Sequence, residues 1–198
     1  MRAQILCILS LIICLIGCSV ETSAKYEYGL KCYSTTHSYK QHKLSSLYIS
    51  APEAVAEFQT NEMLYSKVPY EITSFSKNSW SNPPAEMLYP LMLQSFQESR
   101  AFRVIASGTH AEISRFRLDT QLLELIQIFT KTSSSIHLTV KAMITDTTSA
   151  RLIGSKVFKI VVPCPFNTPY GGASAANRAA GILTYQLTNY TISVVRRT

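Results

Sequence analysis

Apolar and polar positions change their period several times along this chain, and each change marks an element. Ile136, Leu138, Val140, Ala142 and Ile144 alternate with His137, Thr139, Lys141, Met143 and Thr145. A strict period of two predicts a strand with one face on a core. Before it, residues 116–130 read as a long β-rich stretch with apolar side chains on both faces: Leu122, Leu123, Leu125, Ile126 and Phe129. After it, residues 152–162 read as a third strand, stopped by Pro163 and Pro165. Polar spacers at 131–135 and 146–149 suit short turns, so the three strands form an antiparallel meander.

Two segments carry the helical period instead. Leu88, Leu91, Met92, Ser95, Phe96 and Ser99 follow i, i+3, i+4, i+7, i+8, i+11, predicting a helix over 83–100. Asn82 is the expected cap and Pro83 the expected first position, where a missing N–H costs nothing. Ala176, Ala180, Leu183, Leu187, Tyr190 and Val194 form a second stripe, on a helix expected after Gly171-Gly172 with Ser174 as cap. Its small alanines allow close approach to a sheet. Shorter extended segments are expected at 47–49, 63–67, 70–75 and 102–106, with Pro69 and Gly108 as breaks. The predicted fold is α+β, an α/β sandwich: a mostly antiparallel or mixed β-sheet with two amphipathic helices packed on it. It occupies residues 46–198. Residues 18–45, polar with a basic and His cluster at 37–43, are expected to be a tether.

The first residues, MRAQILCILSLIICLIGC, are of another kind. Arg2 supplies a positive start, and the apolar run from Ile5 to Ile16 is shorter than the ~20 residues that span a bilayer. This is the order of a secretory signal, here over residues 1–17. Leu15-Ile16-Gly17-Cys18 fits the bacterial lipobox: Gly17 precedes the cut, and Cys18 offers its sulfur for lipid attachment.

That reading changes the cysteine count. Of five cysteines, Cys7 and Cys14 leave with the signal and Cys18 is acylated, so Cys32 and Cys164 remain. They either form a disulfide, in an oxidising compartment, or stay as two separate small side chains. The formal charge of +7 is spread along the sequence, and Arg196-Arg197 is the densest pair. An acidic membrane surface or acidic partner suits this better than nucleic acid.

Candidate chemistry is thin. His37 and His42 lie in the tether without acidic or thiol partners, and His137 is on the polar side of its strand. No nucleophile elbow, phosphate loop or metalloprotease motif is present. Gly171-Gly172-Ala173-Ser174 before a helix is a weak anion signal, better read as a flexible lead-in. The Trp80 ring either closes over the first helical turn or stacks on a ligand, and closure is the simpler reading. The chain is expected to be no enzyme, with no metal and no cofactor beyond the lipid on Cys18.

The segment from Leu47 to Ile105 resembles the ABC-type transport auxiliary lipoprotein family, the PqiC-like proteins. The resemblance rests on Thr60-Asn61-Glu62-Met63, Tyr65, Pro69-Tyr70-Glu71, Phe75, Asn78, Trp80, Pro84, Met87-Leu88, Pro90-Leu91 and Phe102. It continues through the strand at 118–129 and Ala175-Ala176-Asn177-Arg178. The chain departs from the family at Glu57-Phe58-Gln59-Thr60, where relatives carry Gly-Phe-Asp-Thr. The resemblance implies structural roles for Tyr65, Pro69, Trp80, Pro84, Leu88 and Pro90. It also implies a non-catalytic subunit that docks an MCE-domain substrate-binding protein, with its ABC permease and ATPase, from the periplasmic side of the outer membrane. Ser19, rather than Asp, after Cys18 agrees with outer-membrane sorting. The competing reading is a lipoprotein that regulates or assembles a cell-wall or outer-membrane biogenesis enzyme. Homo-oligomerisation is left open.

Overall fold

The computed structural model describes residues 25–35, 43–109 and 114–198. The signal segment, Gly17, Cys18, His37, His42 and His110 lie outside the described residues.

The meander is the backbone of the fold. β7 (Phe116–Phe129), β8 (Ser134–Asp146) and β9 (Arg151–Pro163) pair antiparallel along nearly their whole length. The period-two pattern sets the faces. Ile136, Leu138, Val140, Ala142 and Ile144 are buried, with half-buried residues between them. The double-faced apolar run in β7 has a specific cause: the register shifts between Leu122 and Glu124. A bulge there turns the alternation over, so Leu118 and Leu122 are followed on the core side by Leu125 and Gln127.

The other edge of β7 is shared by short strands in succession. β2 (Leu47–Ile49), β3 (Glu53–Ala54) and β4 (Glu62–Ser66) pair with it in parallel at 116–118, 121–122 and 127–128. β5 (Thr73–Trp80) returns antiparallel to β4, and β6 (Ile105–Ala106) flanks β2. β6 is shorter than the strand expected at 102–106; Phe102 makes only an isolated bridge to Leu44. The outermost strand, β1 (Tyr26–Tyr28), pairs in parallel with β5. Here the tether reading is corrected. Asn177 accepts backbone N–H bonds from Lys31 and Cys32 and donates to the Gly29 carbonyl, while Ser34 N–H donates to Thr184 Oγ1. Residues 25–35 therefore belong to the folded domain.

Both helices pack on one side of the sheet. α1 (Pro84–Ser99) buries Leu88, Leu91, Met92, Ser95 and Phe96. Asn82 is not its cap: Pro83 holds that place in an extended conformation, and its carbonyl accepts Glu86 and Met87 N–H. Two successive prolines fix the entry without a side-chain cap. α2 (Pro169–Val195) begins before the two glycines, not after them. Thr168 caps it, its Oγ1 accepting Gly171 N–H at 3.1 Å. Ala175, Ala176, Ala179 and Ala180 are buried against the sheet side, followed by fully buried Leu183 and Leu187. Each of those leucines contributes about 2 kcal/mol of burial. The helices meet through small polar residues, with Ser95 Oγ 3.3 Å from Thr188 Oγ1.

Candidate functional site

The residues singled out by the resemblance range from buried to exposed. Tyr65 stacks with Phe75 at a ring distance of 4.3 Å and meets Phe129 edge-on at 5.8 Å. Trp80 ends β5 and is almost wholly buried, which is packing rather than an open stacking platform. Pro84 is the first helical residue, Leu88 is core, and Pro90 lies within α1 on its exposed side. Pro69 sits in the exposed turn between β4 and β5. Cys32 and Cys164 are free thiols, so the pairing alternative is corrected to two separate side chains. Cys32 is exposed, its backbone held on α2 by Asn177, whereas Cys164 is half-buried and hydrogen-bonded through its N–H to Ser134. His137 is half-buried on the outer side of β8, opposite Ile126 and Val161.

What the topology assembles is a group of arginines at the Phe116 end of β7. Arg115 and Arg117 open that strand. Arg151 opens β9 opposite Asp146. Arg196 and Arg197 follow α2, whose Val194 and Tyr190 pack at Gly154 near the start of β9. Arg103 precedes β6, bonded through its N–H to Leu44. All six are exposed. Asp146 lies 3.8 Å from Arg115, and Asp119 is 2.8 Å from Arg117 Nε. Arg115 and Arg117 also lie over the rings of Phe116 and Tyr48 at 5.0 and 5.6 Å, within reach of a cation–π attraction.

A concavity of about 600 Å³ opens in this end, lined by Ser45, Ser46, Arg103, Val104, Ile105 and Ser114 among others. Its lining mixes apolar side chains with serine hydroxyls and Arg103. Such a surface can hold an acidic peptide segment, with the arginines pairing carboxylates in two-point contacts. Sequence reading missed this group because its members are far apart in sequence. Each stands at the end of an element, and only strand order brings those ends together. No group of His, Cys, Asp and Glu able to hold a metal occurs among the described residues.

No protein-family model matches the chain, and no curated protein matches it. Solved structures do. The crystal structure of XCC0632 from Xanthomonas campestris, of the DUF330 family, is 17% identical and superposes with a TM-score of 0.78. The match covers 86% of this chain and 97% of that one. An uncharacterized protein, 9% identical, matches with a TM-score of 0.68 over 85% of this chain and 99% of its own. The hypothetical protein CT253 from Chlamydia trachomatis, 10% identical, gives 0.53 over 79% and 100%. These likenesses show a shared fold, an α+β sheet with two helices on it.

Proposed function

We propose that this chain is a lipid-anchored, non-catalytic accessory subunit of an MCE-type ABC transport system. Cys18 holds it in the outer membrane, and the domain faces the periplasm. It docks the MCE-domain protein and, through it, the permease and ATPase.

The observation that carries this reading is the polarity of the domain. β1 enters beside β5, and the Tyr28 ring lies 6.3 Å from Tyr170 at the start of α2, which Gln127, near the finish of β7, holds through the Thr168 carbonyl. The arginine group sits at the start of β7, roughly 35 Å away at ~3.3 Å per residue. Cys18 is seven residues before Lys25, a reach of at most about 25 Å. The lipid thus keeps the entry end within that reach of the bilayer and leaves the arginine end free to face the compartment. Charge there favours an acidic partner surface. The lipobox and the family resemblance support the same assignment.

The test is a mild-detergent pull-down of the tagged, lipidated protein from its native membranes. An MCE-domain protein recovered with its permease or ATPase is the expected result. A version with Arg103, Arg151 and Arg197 changed to Gln should lose that partner while keeping its lipid. Recovery of cell-wall synthases without any transporter part would overturn the proposal in favour of an assembly factor for envelope enzymes.

A further inference from the structure

Several exposed large apolar side chains gather at the entry end. Phe166 lies in the link between β9 and α2, and Tyr170 is in the first turn of α2. Tyr26, on the same side of β1 as Tyr28, is 63% exposed. The turn after β4 brings two more. Ser66 pairs at Ile128 of β7, so residues 67–72 project beyond this same end. In that turn Val68 is half exposed and Tyr70 wholly so. Tyr70 has a φ of 71°, a left-handed conformation that a bulky L-residue adopts only at a cost. A strained turn with a fully solvated tyrosine at its tip gains nothing from the protein interior.

Charged groups of both signs stand at this end. Lys25, Lys67 and Lys131 are exposed here, as are Glu27 and Glu71. The β7–β8 turn carrying Lys131 is tied to the Phe166 link, since Asn167 Nδ2 donates to the Thr132 carbonyl at 3.0 Å. Exposed aromatic rings sit at headgroup level in a bilayer interface, where neighbouring lysines meet anionic phosphates.

We propose that this rim, Tyr26, Val68, Tyr70, Phe166 and Tyr170, rests in the interface of the phospholipid bilayer that holds the lipid anchor. The inference rests on the lipoprotein reading, because the reach from Cys18 to Lys25 is what keeps this end at the membrane. The rim then fixes how the domain stands, so that the arginine end faces away from the bilayer. An acyl anchor alone leaves a domain free to tumble on its tether; a second contact sets its orientation.

The experiment uses the lipidated full chain, purified from membranes and reconstituted into vesicles of phosphatidylethanolamine and phosphatidylglycerol, with or without brominated acyl chains. Three variants carry one added tryptophan each: Tyr70→Trp, Phe166→Trp and, as the distant control, Val104→Trp at the arginine end. Buried Trp80 is common to all three. Flotation with the vesicles reports the anchor, and quenching reports the rim. The proposal expects all three to float, with emission from the first two quenched about twofold by brominated lipid and the Val104→Trp signal unchanged. Flotation with no quenching at either rim position, or with equal quenching at the control, overturns the proposal and leaves the lipoprotein reading standing. Failure to float overturns both.

Discussion

At the Phe129 end of β7 the chain closes around buried polar groups, whereas at the Phe116 end it lies open and charged. The closed end is centred on Gln127. Its Nε2 donates to Ser134 Oγ at 3.0 Å and to the Thr168 carbonyl at 3.2 Å, joining β7, β8 and the cap of α2. Gly171 and Gly172 pass so close that no side chain fits: a methyl group would come 2.0 Å from the Phe166 carbonyl oxygen at the first and 2.2 Å from Gln127 Oε1 at the second. The open end has a glycine too. Gly108, with a φ of 66°, has none of the described residues within 4 Å of where a methyl group would stand. One end spends its small residues on proximity, the other on conformation. The first fixes where the helix starts; the second leaves a surface that a partner can cover.

The sharpest way to break this comparison is at the two glycines. Gly171→Ala should destabilise the domain by about 3 kcal/mol, since the obstacle is backbone and cannot swing away. Urea unfolding of the two single variants measures it, and Gly108→Ala should cost only about 1 kcal/mol, from backbone strain alone. Equal losses would mean that the contact at Phe166 relaxes freely. Between them falls Gln127→Met. It keeps the volume but removes the donor to Ser134 Oγ and one of two donors to the Thr168 carbonyl, which keeps the Gly172 N–H, at a cost of about 1.5 kcal/mol. Hydrogen exchange should show that loss as faster opening of the first turn of α2, with the middle of β8 unchanged.

Much of the architecture was legible where period alone decides. The meander and the buried stripes of both helices follow from alternation or 3.6-residue spacing, and the structure keeps them. What escaped was set by partners distant in sequence. β1 is three residues, Tyr-Glu-Tyr, in a polar stretch; it is a strand because β5, about fifty residues on, offers an edge and Asn177 binds the chain that follows. β3 and β4 likewise owe their existence to the free edge of β7. The helix starts were misplaced because cap rules rank local residues, while Thr168 and Pro83 hold their places through the close approach at Gly171 and through two adjacent prolines. The arginine group was invisible for a related reason: six residues that look evenly scattered converge when three strands and a helix are laid side by side.

The smallest effect is expected where charge is densest. Arg117→Gln removes the 2.8 Å pair with Asp119, yet the arginine is about half exposed and the aspartate keeps a second donor, Ser50 Oγ at 2.7 Å. Surface pairs of this kind contribute about 0.5 kcal/mol or less, so the unfolding midpoint in urea should hardly move. Partner binding should respond very differently, weakening severalfold and becoming less sensitive to salt, because a rim charge acts through long-range attraction that ions screen. Measuring stability and partner retention on the same protein separates the two roles. A stability loss above about 1 kcal/mol with unchanged binding would assign Arg117 to holding β7 in register. An unmoved midpoint with lost binding would show that this end is charged for its partner rather than for the fold.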